Sequence, residues 1–564
     1  MRPNPWTFLE DFRGKEFTEE LPTLPQLFSI TAKRFPENYC FTVFEPDRQT
    51  LTYKEALDRI LEVSGYLKSL GVKKGVTVAV SGKNATEWAV AYFAVLYAGG
   101  VAVPLDYQLK NEELAALIEF ADVHTLFIDQ EKYDYFHDNR GNIAHLLSLS
   151  REKERYILDL KGDGPWQDET VTLSDVAAIL FTSGTTGNPK GVMLTHDNLV
   201  NDCFLGQELL TIYSTDVFYA LTPLHHSYTM TAVFIEAISV GAEVIFAKSL
   251  ALQQILSDLK TGKVTMLLSI PMLFNKMMKA LMKGVREKGI AVYGLIRFLM
   301  GISGIIKKLF RVNPGKKMFS FLLKRLSLEN NRICICGGGP LPASTFRRFN
   351  QLGIDFVQGY GLTETSPIVA LNPKEHYKEK SVGKIFRNVD VRIQDPDDQG
   401  RGEILLKGPV VMQGYYKNEE ETRKVFTKGG YLITGDVGYL DHENYLYLTG
   451  RKKSLIVTEG GKNVFPEEIE DHFQLYDEIE QILVKGFIQD EKMKTEAIEA
   501  FIYPAPEEES AGSEKRSVHD RIEEIIKEVN KQLPPYKKIS RFKILDEPME
   551  MTTTKKIKRF RVQE

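Results

Sequence analysis

The sequence predicts an α/β protein with a large N-terminal domain and a small α+β domain at its C-terminal end. Three observations support this prediction. Apolar strand-like runs alternate with amphipathic helical patterns through most of the chain, which favours mixed, mostly parallel sheets. A length of 564 residues is too great for one hydrophobic core, so the large domain should contain several subdomains. A charged linker at residues 506–513 interrupts the last region and indicates a separate, mobile unit.

The region up to about residue 150 shows the clearest alternation. A helical pattern covers residues 52–70, and Gly71 ends it. A buried strand is predicted at 76–81, a helix at 85–96 and a further strand at 101–104.

Residues 171–274 repeat this style. Strand-like segments occur at 176–180, 217–222, 243–247 and 265–269, with helical patterns between them. Beyond residue 330, strands and turns dominate up to Gly450. We therefore predict an N-terminal domain at 1–450 and a C-terminal lid domain at 451–564, with a hinge near Lys453 and Ser454 and a helix at 518–532.

Composition is ordinary for a globular protein, with 43% hydrophobic residues, 26% charged residues and a net charge of −4. Nothing in this balance indicates nucleic acid as a partner. Of the four cysteines, Cys334 and Cys336 lie in an apolar run, which predicts buried strand thiols rather than a zinc site or disulfide. The first residues lack the apolar core of a signal peptide, so we expect a cytoplasmic protein.

A basic, apolar segment covers about residues 275–328. No Asp or Glu occurs between 288 and 328, whereas nine cations do: Lys288, Arg297, Lys307, Lys308, Arg311, Lys316, Lys317, Lys324 and Arg325. One interpretation is an amphipathic helical insertion packed on the main sheet. The other is an element that contacts the anionic inner face of a membrane, or lines an entrance for a lipid carboxylate, through residues 288–328. A transmembrane helix is not expected, because Arg297 interrupts the longest apolar stretch.

The loop at 181–191 is the most informative motif. Its glycines let the backbone amides converge, and its hydroxyls and Lys190 add side-chain donors. A flexible surface turn is the alternative, but apolar segments flank the loop on both sides and place it at the edge of a core. The predicted phosphate-binding residues are Thr182, Ser183, Gly184, Thr185, Thr186, Gly187 and Lys190.

Further motifs follow at 223–229, 336–342, 358–365, 431–439, 449–453, 460–470 and 552–559. Together with the loop, they resemble the signatures of the adenylate-forming (ANL) superfamily, which comprises acyl- and aryl-CoA synthetases, adenylation domains and luciferases. They occur in that family's order. The form of the last motif and the insertion resemble those of long-chain fatty acid–CoA ligases.

The resemblance implies a role for each matching residue. Asp436 and Arg451 would hold the ribose of ATP, Thr363 a phosphate and Glu364 the Mg²⁺ ion. Adenine and the α-phosphate would lie against Gly337, Gly338, Gly339, Gln358, Gly359, Tyr360 and Gly361.

Three more residues receive roles through the resemblance. Lys556 is the adenylation lysine, although Lys555 stands where the family has glycine, which leaves open whether Lys555 or Lys558 acts instead. Gly461 would line the pantetheine channel of CoA, and His226 would guard the acyl pocket.

The predicted function is ATP-dependent, AMP-forming ligation of a carboxylic acid to the thiol of CoA, with a long-chain fatty acid as the expected acid. Acyl carrier protein as acceptor and a medium-chain or aryl acid as substrate are alternatives. A non-catalytic nucleotide-binding scaffold is the alternative outside the enzymes, and the intact Glu364, Asp436, Arg451 and Lys556 argue against it.

Overall fold

The computed structural model describes residues 4–162, 171–182, 189–458, 462–474, 476–490, 495–506, 517–552 and 556–562. The α-helices are α1 (Leu24–Arg34), α2 (Tyr53–Ser69), α3 (Thr86–Tyr97), α4 (Asn111–Phe120), α5 (Gln130–Asp138), α6 (His196–Leu209), α7 (Ser227–Thr229), α8 (Glu236–Val240), α9 (Leu252–Thr261), α10 (Pro271–Arg286), α11 (Ile290–Phe310), α12 (Gly315–Met318), α13 (Ser320–Arg325), α14 (Ala343–Gln351), α15 (Glu419–Val425), α16 (Pro466–Glu470) and α17 (Val518–Gln532).

The strands are β1 (Tyr39–Val43), β2 (Gln49–Thr52), β3 (Thr77–Ser81), β4 (Val101–Leu105), β5 (Thr125–Ile128), β6 (His145–Ser148), β7 (Val176–Thr182), β8 (Lys190–Thr195), β9 (Val217–Ala220), β10 (Glu243–Phe246), β11 (Met266–Ser269), β12 (Ile333–Cys336), β13 (Asp355–Gly361), β14 (Ile368–Leu371), β15 (Gly383–Ile385), β16 (Asp390–Gln394), β17 (Gly402–Lys407), β18 (Gly414–Tyr415), β19 (Leu432–Leu440), β20 (Tyr445–Arg451), β21 (Ile456–Thr458), β22 (Lys462–Val464), β23 (Ile479–Asp490), β24 (Thr495–Pro504) and β25 (Arg541–Ile544).

Local sequence chemistry fixes the predicted elements. Thr52 and Glu55 form a capping box at the start of α2, in which the Glu55 amide donates to Thr52 Oγ1 at 3.2 Å and the Thr52 amide donates to Glu55 Oε2 at 2.8 Å. Gly71 adopts a φ of +89° just beyond the helix, a conformation that favours glycine. Helix α3 is buried almost throughout. It packs on α2 and against strands β1, β3 and β4.

In the part of the N-terminal domain that the structure describes, the strands form two sheets. The first has seven strands in the order β18-β8-β7-β4-β3-β5-β6, and the second has thirteen in the order β16-β17-β19-β20-β15-β14-β13-β12-β11-β9-β10-β1-β2. In the second sheet, β13 pairs parallel with β12 and antiparallel with β14, so the strand direction changes there. Ligands of α/β proteins bind beyond the carboxyl ends of the parallel strands, which here include β12 and β13.

The C-terminal domain has its own apolar core, formed by one five-stranded sheet with α16 and α17. Strand β20 ends at Arg451, and the short turn Lys452–Ser454 leads into β21, so the predicted hinge lies in this turn. The two domains touch where the Lys279 ammonium of α10 donates to the Tyr476 carbonyl at 2.6 Å. The predicted α/β class, with a large N-terminal and a small C-terminal domain, is confirmed.

The basic segment folds into α11, α12 and α13, which follow α10, and α11 packs on α10 and α14. Of the helices described, α11 alone is long and apolar enough to cross a membrane by length and composition. Lys307, one of the nine cations of this segment, is buried, which agrees with an insertion packed on the domain at this position. Its ammonium lies 2.9 Å from Asp355 Oδ1 and donates to Asn350 Oδ1 at 2.9 Å. All four cysteines are buried and unbridged, as expected.

Candidate active site

A carboxylate, a phenol and a guanidinium form the centre of the candidate site. Strands β19 and β20 pair Asp436 with Arg451, and Arg451 Nε lies 3.1 Å from Asp436 Oδ1. From β13, the Tyr360 hydroxyl donates to Asp436 Oδ2 at 2.6 Å. Burial, and then the charge of Asp436, raises the pKa of Tyr360, so the phenol remains a donor at neutral pH. Each oxygen of Asp436 keeps a lone pair that could accept a ligand hydroxyl.

Lys556 reaches this centre from the C-terminal domain. Two hydrogen bonds join it to Thr552: the Thr552 amide donates to the Lys556 carbonyl at 2.8 Å, and the Lys556 amide donates to Thr552 Oγ1 at 3.1 Å. The Lys556 side chain is exposed to solvent, and its ammonium lies within electrostatic range of Arg451 and Asp436. Desolvation, and then the positive charge of Arg451, lowers the pKa of Lys556, while Asp436 opposes the shift.

The neighbouring lysines differ from Lys556 in position. Lys558 forms an ion pair with Glu550 within the C-terminal domain. Lys555 lies outside the described residues. Among the lysines described in this segment, Lys556 is therefore the one whose charge acts on the Asp436 centre.

Two adjacent histidines lie beside this centre in neutral form. Their ring centroids are 4.3 Å apart, and His225 Nε2 lies 3.6 Å from Asp106 Oδ1, too far for a strong hydrogen bond. Burial lowers the pKa of His225 to about 3. Burial, then His225 and also the charge of Lys556, lowers the pKa of His226 well below its ordinary value. The charge of Lys556 therefore reaches His226, whose role at the acyl pocket stays a prediction.

Thr363 and Glu364 follow the carboxyl end of β13 in a short helical turn. Ser227 Oγ donates to Thr363 Oγ1 at 3.3 Å, and the Tyr415 hydroxyl donates to Glu364 Oε1 at 3.0 Å. No other hydrogen bond to the Glu364 carboxylate occurs within the described residues. Its remaining lone pairs suit a hard cation, so the donor set fits the predicted Mg²⁺ ion.

The predicted phosphate loop joins β7 to β8, which pair antiparallel and place Thr182 opposite Lys190. Ser183, Gly184, Thr185, Thr186 and Gly187 lie outside the described residues, as does Gly461 of the C-terminal domain.

Lys190 is partly exposed and contacts two protein groups. Its ammonium lies 2.5 Å from Glu421 Oε2 and 5.0 Å from the ring centroid of Tyr415. The hydrogen bond from Lys190, and then the one from Lys424, lowers the pKa of Glu421 to about 2. Its phosphate-binding role stays a prediction, and an anion at the loop would have to compete with Glu421.

The surroundings that an added Cβ would meet differ among the predicted adenine-binding glycines. A Cβ on Gly337 would lie 2.9 Å from the ring of Tyr228, so this glycine lets the ring approach the backbone. A Cβ on Gly361 would lie 1.5 Å from the Pro367 carbonyl oxygen, so close chain packing requires glycine there. Gly339 borders open space, since an added Cβ would meet only Pro271, at 3.6 Å. Gly338, Gln358 and Gly359 complete the two segments that flank the carboxyl ends of β12 and β13.

Family models match both domains of this chain. The model of the AMP-binding enzyme matches residues 28–416, and that of the AMP-binding enzyme C-terminal domain matches 453–564. This chain belongs to the AMP-binding enzyme family. The predicted adenylate-forming superfamily is thereby confirmed.

Relatives and a solved structure agree with this assignment. A long-chain-fatty-acid–CoA ligase from Bacillus subtilis is 26% identical over 86% of this chain and 87% of its own. A chloroplastic long-chain-fatty-acid–[acyl-carrier-protein] ligase from Arabidopsis thaliana is 25% identical over 83% of this chain and 75% of its own. The o-succinylbenzoate-CoA synthetase of Bacillus subtilis, solved with ATP and magnesium, has the same fold at a TM-score of 0.73 and 22% identity, covering 95% of this chain and 98% of that one.

Three residues at the site of this AMP-binding enzyme were not predicted from the sequence: Tyr415, Glu421 and Tyr228. Tyr415 bridges two predicted groups, because its hydroxyl binds Glu364 and its ring lies beneath Lys190. Glu421 neutralises Lys190, and Tyr228 fills the space above Gly337. The Gly-Tyr-Tyr run at 414–416, directly after an apolar segment, was the available signal for Tyr415.

Proposed function

We propose that this AMP-binding enzyme activates a long-chain fatty acid with ATP to an acyl-adenylate and then transfers the acyl group to CoA. The observation that carries the proposal is the meeting of Lys556, from the C-terminal domain, with the Asp436–Tyr360–Arg451 centre of the N-terminal domain. The Lys556 cation suits the phosphate of a nucleotide, and the Asp436 carboxylate suits the hydroxyls of its ribose.

The first step needs positioning rather than a general base, since a carboxylic acid is already ionised near pH 7. A carboxylate oxygen attacks the α-phosphorus of ATP, and the bond from that phosphorus to the pyrophosphate oxygen breaks. Lys556 would stabilise the negative charge that develops on the α-phosphate, and Thr363 would donate to it. Neutral His226 adds no charge beside the acyl carboxylate, so it would not hold the acid in a competing ion pair.

Glu364 would hold Mg²⁺, which supplies charge neutralisation to the phosphates when it is bound. In the second step, the thiol sulfur of CoA attacks the acyl carbon, the bond to AMP breaks and the thiol proton leaves to solvent. Rotation of the C-terminal domain about the turn at Lys452–Ser454 would withdraw Lys556 and bring Gly461 to the site.

The choice of acid and acceptor has separate support. The Bacillus subtilis relative is named for a long-chain fatty acid and CoA, and the last motif of this chain has the form associated with such ligases. The Arabidopsis relative is named for acyl carrier protein, which makes that protein the second candidate acceptor. A medium-chain or aryl acid is the alternative substrate.

The test is acid-dependent exchange of pyrophosphate into ATP with carboxylic acids of about 2 to 20 carbons, since this family activates acids before the thiol enters. Thioester formation is then measured with CoA and acyl carrier protein in competition. We expect the highest kcat/KM with long-chain acids, and CoA as the preferred acceptor.

Each outcome separates the parts of the proposal. No exchange with any acid would contradict adenylation and favour a nucleotide-binding scaffold. Exchange confined to short or aryl acids would contradict the long-chain assignment alone. Preferential acylation of acyl carrier protein would contradict only the choice of acceptor.

A further inference from the structure

Helix α11 has one buried face and, opposite it, an exposed apolar face. Ile296, Met300, Ser303 and Lys307 are buried against the domain and recur at the spacing of one helical face. The outward face carries five large apolar side chains, with 36 to 69% exposure: Leu295, Phe298, Ile302, Ile305 and Leu309. At about 100° per residue, these five lie on the side opposite the buried residues. A helix that only covers a core would have polar residues there.

The apolar surface continues through Phe310, the last residue of α11, and beyond the helix, where Val312, Met318 and Phe321 are also exposed. Scattered exposed apolar side chains are ordinary, but a continuous row along a helix marks a contact surface. We name this set, the nine exposed apolar residues from Leu295 to Phe321, the α11 surface.

Positive charge accompanies the α11 surface. Lys308, Arg311, Lys317 and Lys324 are exposed, and none forms an ion pair within the part of the chain that the structure describes. Between residues 288 and 328 there is no acidic side chain to neutralise them. Cations on long flexible stems next to exposed apolar side chains fit a surface with negative groups above an apolar layer.

The packing of α11 decides its orientation. Lys307 is buried beneath the helix, paired with Asp355, and donates to the Ile354 carbonyl at 2.9 Å. Because α11 also packs on α10 and α14, it could enter a bilayer along its axis only by losing these contacts. Its 21 residues give an apolar row of about 31 Å that can lie flat on a surface.

We propose that the α11 surface docks on a lipid bilayer with anionic headgroups, with the helix axis parallel to the membrane plane. The exposed apolar side chains enter the boundary between headgroups and acyl chains, about 5–10 Å deep, and the four cations contact lipid phosphates. The proposal makes no assumption about the substrate, so it stands apart from the proposed ligase activity.

The test is flotation of the full-length protein with two kinds of vesicle at about 0.15 M salt. One contains phosphatidylcholine with about a third phosphatidylglycerol, and the other contains phosphatidylcholine alone. We expect binding to the anionic vesicles, at least about tenfold weaker binding to the neutral ones, and weaker binding as salt rises.

Two double variants separate the contributions. Phe298→Gln with Leu309→Gln removes apolar area, and Lys308→Glu with Lys317→Glu reverses charge. Each should lower the partition coefficient at least about tenfold, with an unchanged melting temperature. The matched controls are Leu250→Gln with Ile488→Gln, exposed by 49 and 62%, and Lys54→Glu with Lys73→Glu on other exposed elements. Neither control should change vesicle binding.

A fluorescent variant measures depth and remains informative if a double variant fails to fold. Phe298→Trp should add fluorescence that lipids brominated near the headgroup quench more strongly than lipids brominated near the bilayer centre. Stronger quenching at the centre would overturn the flat orientation. Failure of the wild type to float with anionic vesicles would overturn the proposal. So would a wild-type dimer that the apolar variant dissociates without any effect on flotation, because a second copy would then cover the α11 surface.

Discussion

The cleft around Asp436 and the underside of α11 each hold one lysine whose pKa is lowered, with different consequences. The Lys307 ammonium is satisfied on all sides, by Asp355, by Asn350 and by the Ile354 carbonyl, each at 2.9 Å. Burial lowers the pKa of Lys307 and Asp355 opposes the shift. This lysine can only hold helix α11 in place.

Lys556 has the opposite surroundings. Within the described residues, its ammonium donates no hydrogen bond, and it lies near a second cation, Arg451. A lysine whose donors are unused, beside a second cation, is prepared to meet an anion. A lowered lysine pKa therefore occurs at both structural sites and candidate catalytic sites. The partners of the ammonium distinguish the two kinds of site.

The largest effect should come from Lys556→Ala. We expect acid-dependent pyrophosphate exchange to fall by about 10²–10³-fold or more, because one donor to the developing charge is lost. Thioester formation from a supplied acyl-adenylate should be spared. The matched control is Lys558→Ala, which removes a lysine paired with Glu550 and should leave exchange within about twofold. Equal loss in both half-reactions would contradict the role of Lys556.

Asp436→Asn tests the carboxylate at the other end of the cleft. The amide loses an acceptor and turns a donor towards Arg451 or Tyr360, so the KM for ATP should rise about tenfold to hundredfold. The KM for the acid should change much less. Steady-state kinetics at varied ATP measure this, with exposed Asp398→Asn as the control. An equal rise in both KM values would place Asp436 outside nucleotide binding.

Lys307→Met tests the structural lysine. It leaves Asp355 without its cation, but this carboxylate is 28% exposed and can regain water, so the loss of unfolding free energy should be about 2 kcal/mol. Lys308→Met, the neighbouring exposed position, should remain within about 0.5 kcal/mol. Denaturant-induced unfolding compares the two variants. If Lys307→Met lowered pyrophosphate exchange strongly but left the free energy of unfolding unchanged, Lys307 would not be a structural lysine distinct from Lys556.

The pH dependence of exchange should reflect the same surroundings. His226 is neutral in the folded protein, so no inflection is expected near pH about 6.5, the ordinary histidine pKa. At high pH, activity should fall before the ordinary lysine pKa of about 10.4, since Lys556 loses its proton early. Stability should also depend on pH, through His225, whose pKa is lowered to about 3. Its contribution to the free energy of unfolding is complete above about pH 6.5 and is lost as pH falls towards 3. A profile with an acid limb at pH about 6.5 that His226→Gln abolishes would contradict the neutral assignment.

The smallest effect should come from Glu421→Gln, which releases Lys190 from its ion pair. If Lys190 contacts phosphate, the inhibition constant of pyrophosphate should fall about threefold, the scale of a partly exposed ion pair. Glu420→Gln, one residue earlier and paired with Lys424, is the control and should have no effect. An unchanged constant in both variants would leave Lys190 as a packing residue.

Elements that depend on near neighbours in the chain could be predicted from the sequence alone. The capping box at Thr52, the strand–loop–strand around Lys190 and helix α17 were predicted at or close to their observed bounds, because capping and hydrophobic periodicity act over a few residues. The motifs also identified the family, since each is a contiguous run of residues.

Which of these residues come together in space depends on the tertiary structure. Tyr415 binds Glu364 across 51 positions, and Lys556 reaches Asp436 from another domain. One lysine of the basic segment, Lys307, turned inward while Lys308 remained outside. No local pattern encodes such pairings, because they depend on how sheets and domains pack, and burial then sets the charge and hydrogen bonding of each group.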